Sequence, residues 1–129
     1  GAGEFRGGLG LRRDIEARAE ADFSLIADRH RHAPYGLAGG EPGATGAAFL
    51  LDGGESERLA PKTTGRLDAG QVLSIRTPGA GGYGDPADRD SATIERDLRL
   101  GKLSPVAARE QYGYDSDRAG SGAPDDPSP

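Results

Sequence analysis

"AAFLLDGGESERLAPKTTGRLDAGQVLSIRTPG", residues 47–79, is the stretch of sequence that decides the fold. Short runs that contain apolar residues are separated by the turn-forming sequences "DGGE" and "LDAG". Short runs bounded by such turns are typical of strands joined by tight connections. We therefore predict strands at 48–52, 57–59 and 71–77, arranged as an antiparallel meander.

The segments before this stretch are rich in glycine. "GAGEFRGGLGLRRDIE" opens the chain, and its glycine density predicts a loop whose backbone either adopts unusual angles or approaches another part of the molecule closely. "ADFSLIADR" follows and alternates Phe23, Leu25 and Ala27 with mostly polar neighbours, which predicts a strand. "RHRHAPYGLAGGEPGATG" then predicts a long loop, of a length that is often functional.

Helical signals begin after the last glycine-rich segment, "TPGAGGYGDP". A capped turn, a helix in which Ile94 and Leu98 share a face, and a second helix "PVAAREQY" are predicted in that order. The residues predicted to cap or end them are Asp85, Asp90, Gly101, Ser104 and Gly113. Residues 115–129 lack apolar periodicity and are predicted to form a disordered tail. The predicted fold is α+β: mainly antiparallel β with glycine-rich loops, followed by two short C-terminal helices and the tail.

The composition limits the possible partners. The 129 residues are 34% hydrophobic and carry a net charge of −5, so we expect a small core and no binding to nucleic acid or to an anionic membrane. The absence of cysteine excludes disulfides and sulfur-ligated metals. No apolar run is long enough to span a membrane, which favours a cytoplasmic protein. The chain has no methionine, so we expect it to be a fragment of a longer protein.

Gly79-x-Gly81-x-x-Gly84 has the spacing of a dinucleotide-binding fingerprint. That site also needs a parallel strand before the glycines and a helix directly after them. Neither is predicted here, so we favour a structural glycine loop, with a loop that lines an active site as the alternative. Tyr83 could donate a hydrogen bond to a substrate, although packing over the neighbouring glycines is the favoured role.

"DRHRH" raises the question of a metal site. Asp28, His30 and His32 would share one face if the preceding strand continued, and Arg29 and Arg31 would share the other. We favour a solvated strand end and predict no metal in this chain. The two arginines could hold a carboxylate or phosphate, but structural ion pairs with Asp and Glu are the favoured interpretation.

Four motifs taken in order carry a family resemblance: "GAGEFRGGLG", "DRHRHAPYGLAGGEPGATG", "IRTPGAGGYGDP" and "RDLRLGKLSPVAAREQYG". Together they resemble the C-terminal end of the hydantoinase B family, the subunit shared by ATP-dependent 5-oxoprolinases and N-methylhydantoinases. The family is related to the large subunit of acetone carboxylase. The resemblance makes residues 1–114 the C-terminal portion of a hydantoinase B/oxoprolinase domain.

The resemblance implies a hydrolase that opens a cyclic amide with the use of ATP. A companion A-type subunit or domain with an actin-like fold would hold ATP and Mg, so we expect a hetero-oligomer that acts on a small cyclic amide. In the carboxylase relatives a divalent metal is held by residues before this region, so any such metal would lie in the missing N-terminal part. We expect the fragment alone to be inactive.

The same resemblance suggests site residues. Candidate catalytic residues are Arg29, Arg31 and Asp85, and candidate substrate or loop-lining residues are Arg6, Gly79, Gly81, Gly82, Tyr83 and Gly84. Two alternatives remain open: part of an ATP-dependent ketone carboxylase, or a non-catalytic assembly module.

Overall fold

The computed structural model describes residues 1–115. The predicted tail lies outside the described residues from position 116 onward. The strands lie between residues 12 and 76, and helices follow. The elements are β1 (Arg12–Glu16), β2 (Ala21–Ile26), β3 (Ala47–Asp52), β4 (Glu55–Arg58), β5 (Lys62–Leu67), β6 (Val72–Arg76), a 3-10 turn (Pro86–Asp88), α1 (Ser91–Arg99) and α2 (Pro105–Tyr112).

The strands form two antiparallel sheets. The larger sheet has the order β1-β6-β3-β4, and the smaller sheet pairs β2 with β5. In the larger sheet Leu73 of β6 lies opposite Ile15 on one side and Leu50 on the other. The predicted fold class is therefore confirmed: mainly antiparallel strands, followed by two helices near the C-terminus of the described chain.

Two hydrophobic clusters stabilise the packing of the sheets and the helices. The first lies between the two sheets, around the buried side chains of Ala17, Leu67 and Leu73, against which Phe23 and Leu50 pack. The second joins the two helices and is made of Ile94, Leu103, Ala108, Leu98, Ala107, Tyr112 and Tyr114. Burial of apolar area in these clusters is the main favourable term that holds the elements together.

The predicted meander is wrong. Strands β3 and β6 are direct neighbours, while β5, which lies between them in sequence, belongs to the other sheet. Two strands were also missed: β1, in the stretch predicted to be a loop, and β5. Strand β1 has the sequence "RRDIE" with every residue exposed, and β5 has the sequence "KTTGRL", so neither shows the apolar alternation on which strand prediction depends.

Other predicted elements are confirmed. The strands predicted at 48–52 and 71–77 are β3 and β6, and the alternating segment is β2, with Leu25 buried and Phe23 half-buried. The strand predicted at 57–59 is β4, which begins two residues earlier.

The helix boundaries follow the predicted caps. Asp90 Oδ2 accepts a hydrogen bond from the Thr93 amide at 3.0 Å, and Ser104 Oγ accepts one from the Ala107 amide at 3.1 Å. Gly113 ends α2 in a left-handed conformation at φ 63°. Within residues 1–115, no helix has both the length and the apolar character needed to cross a membrane.

Candidate functional site

Three glycine-rich segments leave the same end of the larger sheet. Strand β6 is antiparallel to both β1 and β3, so the start of β1, the start of β3 and the end of β6 lie side by side. Residues 1–10, 34–46 and 77–86, which adjoin these strand ends, pack together and are called the glycine layer here. Segment 77–86 pairs with both of the others: Tyr83 bridges to Phe5 and to Leu37.

The glycine layer is held by main-chain hydrogen bonds between its segments. Most amide groups of residues 79–84 donate to carbonyl oxygens of the two neighbouring segments at 2.9–3.1 Å. The donors are the amides of Gly79, Ala80, Gly82, Tyr83 and Gly84, and the acceptors are, in the same order, the carbonyls of Ala44, Gly8, Glu41, Phe5 and Leu37. These N–H groups are already used, so they do not form the phosphate cradle of a dinucleotide site.

Close approach of backbones explains the glycines. A Cβ atom at Gly82 would overlap the carbonyl of Ala2, and one at Gly81 would overlap the carbonyl of Tyr35. Of the fingerprint glycines only Gly84 also has a left-handed backbone, at φ 76°. Strand β6 before the fingerprint is antiparallel to its neighbours, and a 3-10 turn rather than an α-helix follows it. The structural interpretation of the fingerprint therefore fits the geometry.

The glycine layer has an exposed apolar side. Tyr83 is 54% exposed, and its ring centroid lies 6.2 Å from that of Phe5, which is 61% exposed. Leu37, the other bridge partner of Tyr83, is also exposed. The ring of Tyr83 thus has Phe5 as its aromatic neighbour, and its role toward a substrate stays a prediction.

Arg6 and Asp85, two other predicted site residues, have structural partners. Asp85 caps the 3-10 turn by accepting a hydrogen bond from the Ala87 amide at 2.9 Å. Arg6 lies 3.5 Å from the carboxylate of Asp97 and donates a hydrogen bond of 2.6 Å to the Lys102 carbonyl. Arg6 therefore joins the glycine layer to the helical part of the chain, and Asp85 shapes the connection between them.

Arg89 completes this junction and was missed by sequence reasoning. Its guanidinium donates to Asp97 Oδ2 and to the Glu4 carbonyl, each at 2.8 Å, and lies 5.6 Å from the ring centroid of Tyr112. Arg89 precedes the helix that carries Asp97, so no helical spacing relates the two residues. The junction formed by Arg6, Arg89 and Asp97 is called the arginine clamp below.

A second region lies at the end of the smaller sheet. Two short segments, joined by a 2.8 Å hydrogen bond from the Ala27 amide to the Pro61 carbonyl, surround a hollow of about 730 Å³. This basic hollow is lined by Ala27, Asp28, Arg29, His30, Arg31, His32, Ala60, Pro61 and Lys62. It contains the whole "DRHRH" motif.

The structure does not arrange this motif as a metal site. Strand β2 ends at Ile26, before the motif, so the alternation that would place Asp28, His30 and His32 on one face does not extend to them. Within residues 1–115 no group of three or more His, Cys, Asp or Glu side chains could hold a metal ion.

The ion pairs favoured for Arg29 and Arg31 are also not formed with any residue from 1 to 115. That interpretation of the two arginines was therefore wrong for the described chain. Both side chains are exposed at the hollow.

Two groups with displaced pKa values lie outside both regions. A hydrogen bond from Arg12 lowers the pKa of Asp14 on β1. The hydrogen bond that Tyr114 donates to Glu95, at 2.7 Å, raises the pKa of the Tyr114 phenol.

Comparison with known proteins connects this geometry to a family. The family model described as hydantoinase B/oxoprolinase matches residues 1–86. 5-Oxoprolinase PfmaA of Pestalotiopsis fici is 38% identical over 92 residues, which are 67% of this chain and 7% of that protein. Caprolactamase subunit beta of Pseudomonas jessenii is 34% identical over 119 residues, which are 88% of this chain and 20% of that protein.

A solved structure shows the same fold. The crystal structure of the ATP-dependent caprolactamase from Pseudomonas jessenii superposes with a TM-score of 0.73 at 31% identity, over 90% of this chain and 21% of that one. The chain thus spans between 7% and about a fifth of the length of the relatives it matches.

Proposed function

The chain belongs to the hydantoinase B/oxoprolinase family, and from this premise we propose that it is the C-terminal portion, residues 1–114, of a B-type subunit of an ATP-dependent cyclic-amide hydrolase. The observation that carries the proposal is the agreement in fold with the ATP-dependent caprolactamase, which extends over 90% of this chain. The similar caprolactamase chain is a subunit beta, which supports a partner subunit for this chain as well.

The proposed reaction needs ATP because a cyclic amide is a poor electrophile. Transfer of the terminal phosphoryl group of ATP to the amide oxygen releases ADP and makes that oxygen a leaving group. Water can then add to the ring carbon, and the C–N bond breaks to leave an amino group and an acyl phosphate. A second water molecule hydrolyses the acyl phosphate to a carboxylate and inorganic phosphate, which completes the ring-opened amino acid. Proton transfers to the ring nitrogen and from water accompany these steps.

In this proposal ATP and Mg are bound by an A-type partner subunit or domain, and a divalent metal, where one is used, is bound by parts of the B-type subunit outside this chain. The site of action is the cytoplasm, where ATP is available. The small size of the chain relative to its relatives supports its inactivity on its own.

The glycine layer gives the chain a defined structural contribution to such a subunit. Its segments are fixed by main-chain hydrogen bonds rather than by side chains, which makes them a rigid base on which exposed groups such as Tyr83 can face a substrate or a neighbouring domain. Candidate substrate-facing residues are Tyr83 and the exposed arginines Arg29 and Arg31; Arg6 and Asp85 act by supporting the loops.

The test is ATP-dependent ring opening by the whole assembly. The full-length protein that carries these residues is co-purified with its A-type partner, and ADP and ring-opened product are measured with 5-oxoproline, a hydantoin and caprolactam, with and without ATP. We expect stoichiometric ADP and amino acid from at least one substrate. The absence of ATP-dependent opening of all three would contradict the proposal, and bicarbonate-dependent consumption of a ketone would favour the carboxylase alternative instead.

A further inference from the structure

The basic hollow concentrates positive charge on an acidic chain. Its lining includes three permanent cations, Arg29, Arg31 and Lys62, and one carboxylate, Asp28, so its formal charge with neutral histidines is +2. The whole sequence has a net charge of −5. A concave surface whose charge is opposite to that of the rest of the molecule attracts small anions.

The cations of the hollow have no partners among the described residues. Within residues 1–115 the side chains of Arg29, Arg31 and Lys62 form no ion pair and no hydrogen bond, although the clamp arginines Arg6 and Arg89 do both. All three side chains are exposed to solvent at the hollow. Their donors are therefore free to bind a ligand.

The backbone at the hollow is held in an uncommon conformation. Arg29 has φ 60°, one of two left-handed residues other than glycine in the described chain, and its carbonyl accepts a 3.0 Å hydrogen bond from the Gly46 amide. A left-handed conformation at a residue with a long side chain costs free energy and is found disproportionately at ligand sites. Arg29 and Arg31 therefore lie on a bent segment that is tied to Gly46, and not at the end of a regular strand.

His30 adds a buried polar group to the same wall. Its imidazole packs so closely on Gly46 that a Cβ there would lie 2.8 Å from His30 Cδ2, and its Nδ1 atom is buried with no hydrogen-bond partner in residues 1–115. This nitrogen is closed off from solvent, so it does not bind a ligand itself; the close contact with Gly46 fixes the position of His30 in the wall.

We propose that the basic hollow is a binding site for a phosphoryl group. A phosphate carries about −1.5 to −2 charges at neutral pH, which matches the formal charge of the lining better than a single carboxylate does. Guanidinium groups bind its oxygens through paired hydrogen bonds, and Lys62 adds a point charge from the second segment that lines the hollow. The choice of a phosphoryl ligand deepens the proposed function, on which it rests, because that reaction releases phosphate and ADP.

The test is arginine footprinting of the intact protein with phenylglyoxal, read by mass spectrometry at each arginine. The experiment uses the assembled protein isolated from its source cell, so it does not require that this chain fold alone. Inorganic phosphate and ADP are added separately, at an ionic strength matched with sodium chloride. Arg13 and Arg99, which are exposed and lie outside the hollow, are internal controls.

We expect phosphate at about ten times its dissociation constant to slow modification of Arg29 and Arg31 about tenfold, and that of Arg13 and Arg99 not at all. Arg31→Ala should remove the protection of Arg29, whereas Arg13→Ala should preserve it.

Protection by inorganic phosphate assigns the site to a free phosphoryl group, and protection by ADP alone assigns it to a nucleotide phosphate. Unchanged modification of Arg29 and Arg31 with both ligands, or equal protection of all four arginines, would overturn the proposal. The modification rates are measured without enzyme turnover, so failure of this proposal is distinguishable from failure of the proposed enzyme activity.

Discussion

Arg89 Nη2 donates a 2.8 Å hydrogen bond to Asp97 Oδ2, and the two side chains are only 8% and 14% exposed. The same guanidinium donates to the Glu4 carbonyl, so one side chain ties the glycine layer to helix α1. A charge pair that is mostly removed from water depends on both members, because without Arg89 the Asp97 carboxylate would keep only the longer, 3.5 Å contact with Arg6.

Loss of Arg89 should therefore destabilise the protein strongly. We expect Arg89→Ala to lower the free energy of unfolding by about 3 kcal/mol, measured by urea denaturation. Arg12→Ala, which removes a pair with 56% and 40% exposed side chains, is the matched control and should lower the free energy of unfolding far less. Equal losses in the two variants would show that the clamp is not a buried pair.

A single methyl group added at the centre of the glycine layer should destabilise the protein. A Cβ at Gly82 would overlap the carbonyl of Ala2, so we expect Gly82→Ala to cost about 3 kcal/mol or to separate the segments. Thermal denaturation gives the loss of stability, and hydrogen exchange at the Leu37 amide, which donates to the Gly82 carbonyl, locates it. Gly8→Ala is the control: nothing lies within 4 Å of its Cβ position, and it should change stability little. A Gly82→Ala protein as stable as Gly8→Ala would refute the steric account.

Asp14 should titrate below the range of an ordinary aspartate. The hydrogen bond from Arg12 lowers the pKa of Asp14 below the ordinary value of an aspartate, and Arg12→Ala should raise the pKa back toward that ordinary value. The folded-state pKa is depressed, so the contribution of Asp14 to stability is present above the unfolded pKa and is lost as the pH falls through the folded pKa. A titration of the side-chain carboxyl carbon by NMR measures both proteins. An unchanged pKa in Arg12→Ala would contradict the assigned cause.

Helix α1 should depend on its N-cap. Asp90 Oδ2 accepts from both the amide and the hydroxyl of Thr93, at 3.0 and 3.1 Å. We expect Asp90→Ala to lower the free energy of unfolding by about 1 kcal/mol. Asp90→Ser should lose only a small part of that amount, because serine also caps a helix. Urea denaturation followed by far-ultraviolet circular dichroism gives both values, and a serine variant as unstable as the alanine variant would point to a role of the negative charge instead.

The parts of the fold that could be predicted are those with local signals. Asp90, Ser104 and Gly113 mark helix ends through contacts within a few residues, and β3 shows a run of apolar side chains. Strand β5 could not be found in this way, because its order comes from pairing with β2 along its whole length and not from its own side chains.

The candidate site was predictable only in part. Close backbone approach was one of the two possibilities that the glycine density of residues 1–10 indicated, and it is the one that the structure shows. Which segments meet depends on the order β1-β6-β3, which no local pattern encodes. The pairing of Arg89 with Asp97 depends on how helix α1 packs against the glycine layer, so it too appears only in three dimensions.

The glycine layer also constrains the order in which the molecule can fold. Its three segments lie far apart in the sequence. The hydrogen bonds between them stabilise the protein only after the segments have been brought close together. Closing such long loops costs entropy first, so pairing of β1, β6 and β3 has to bring the segments together before the layer can form. The layer should be absent from the folding transition state, and mutations in it should speed unfolding and leave the refolding rate nearly unchanged.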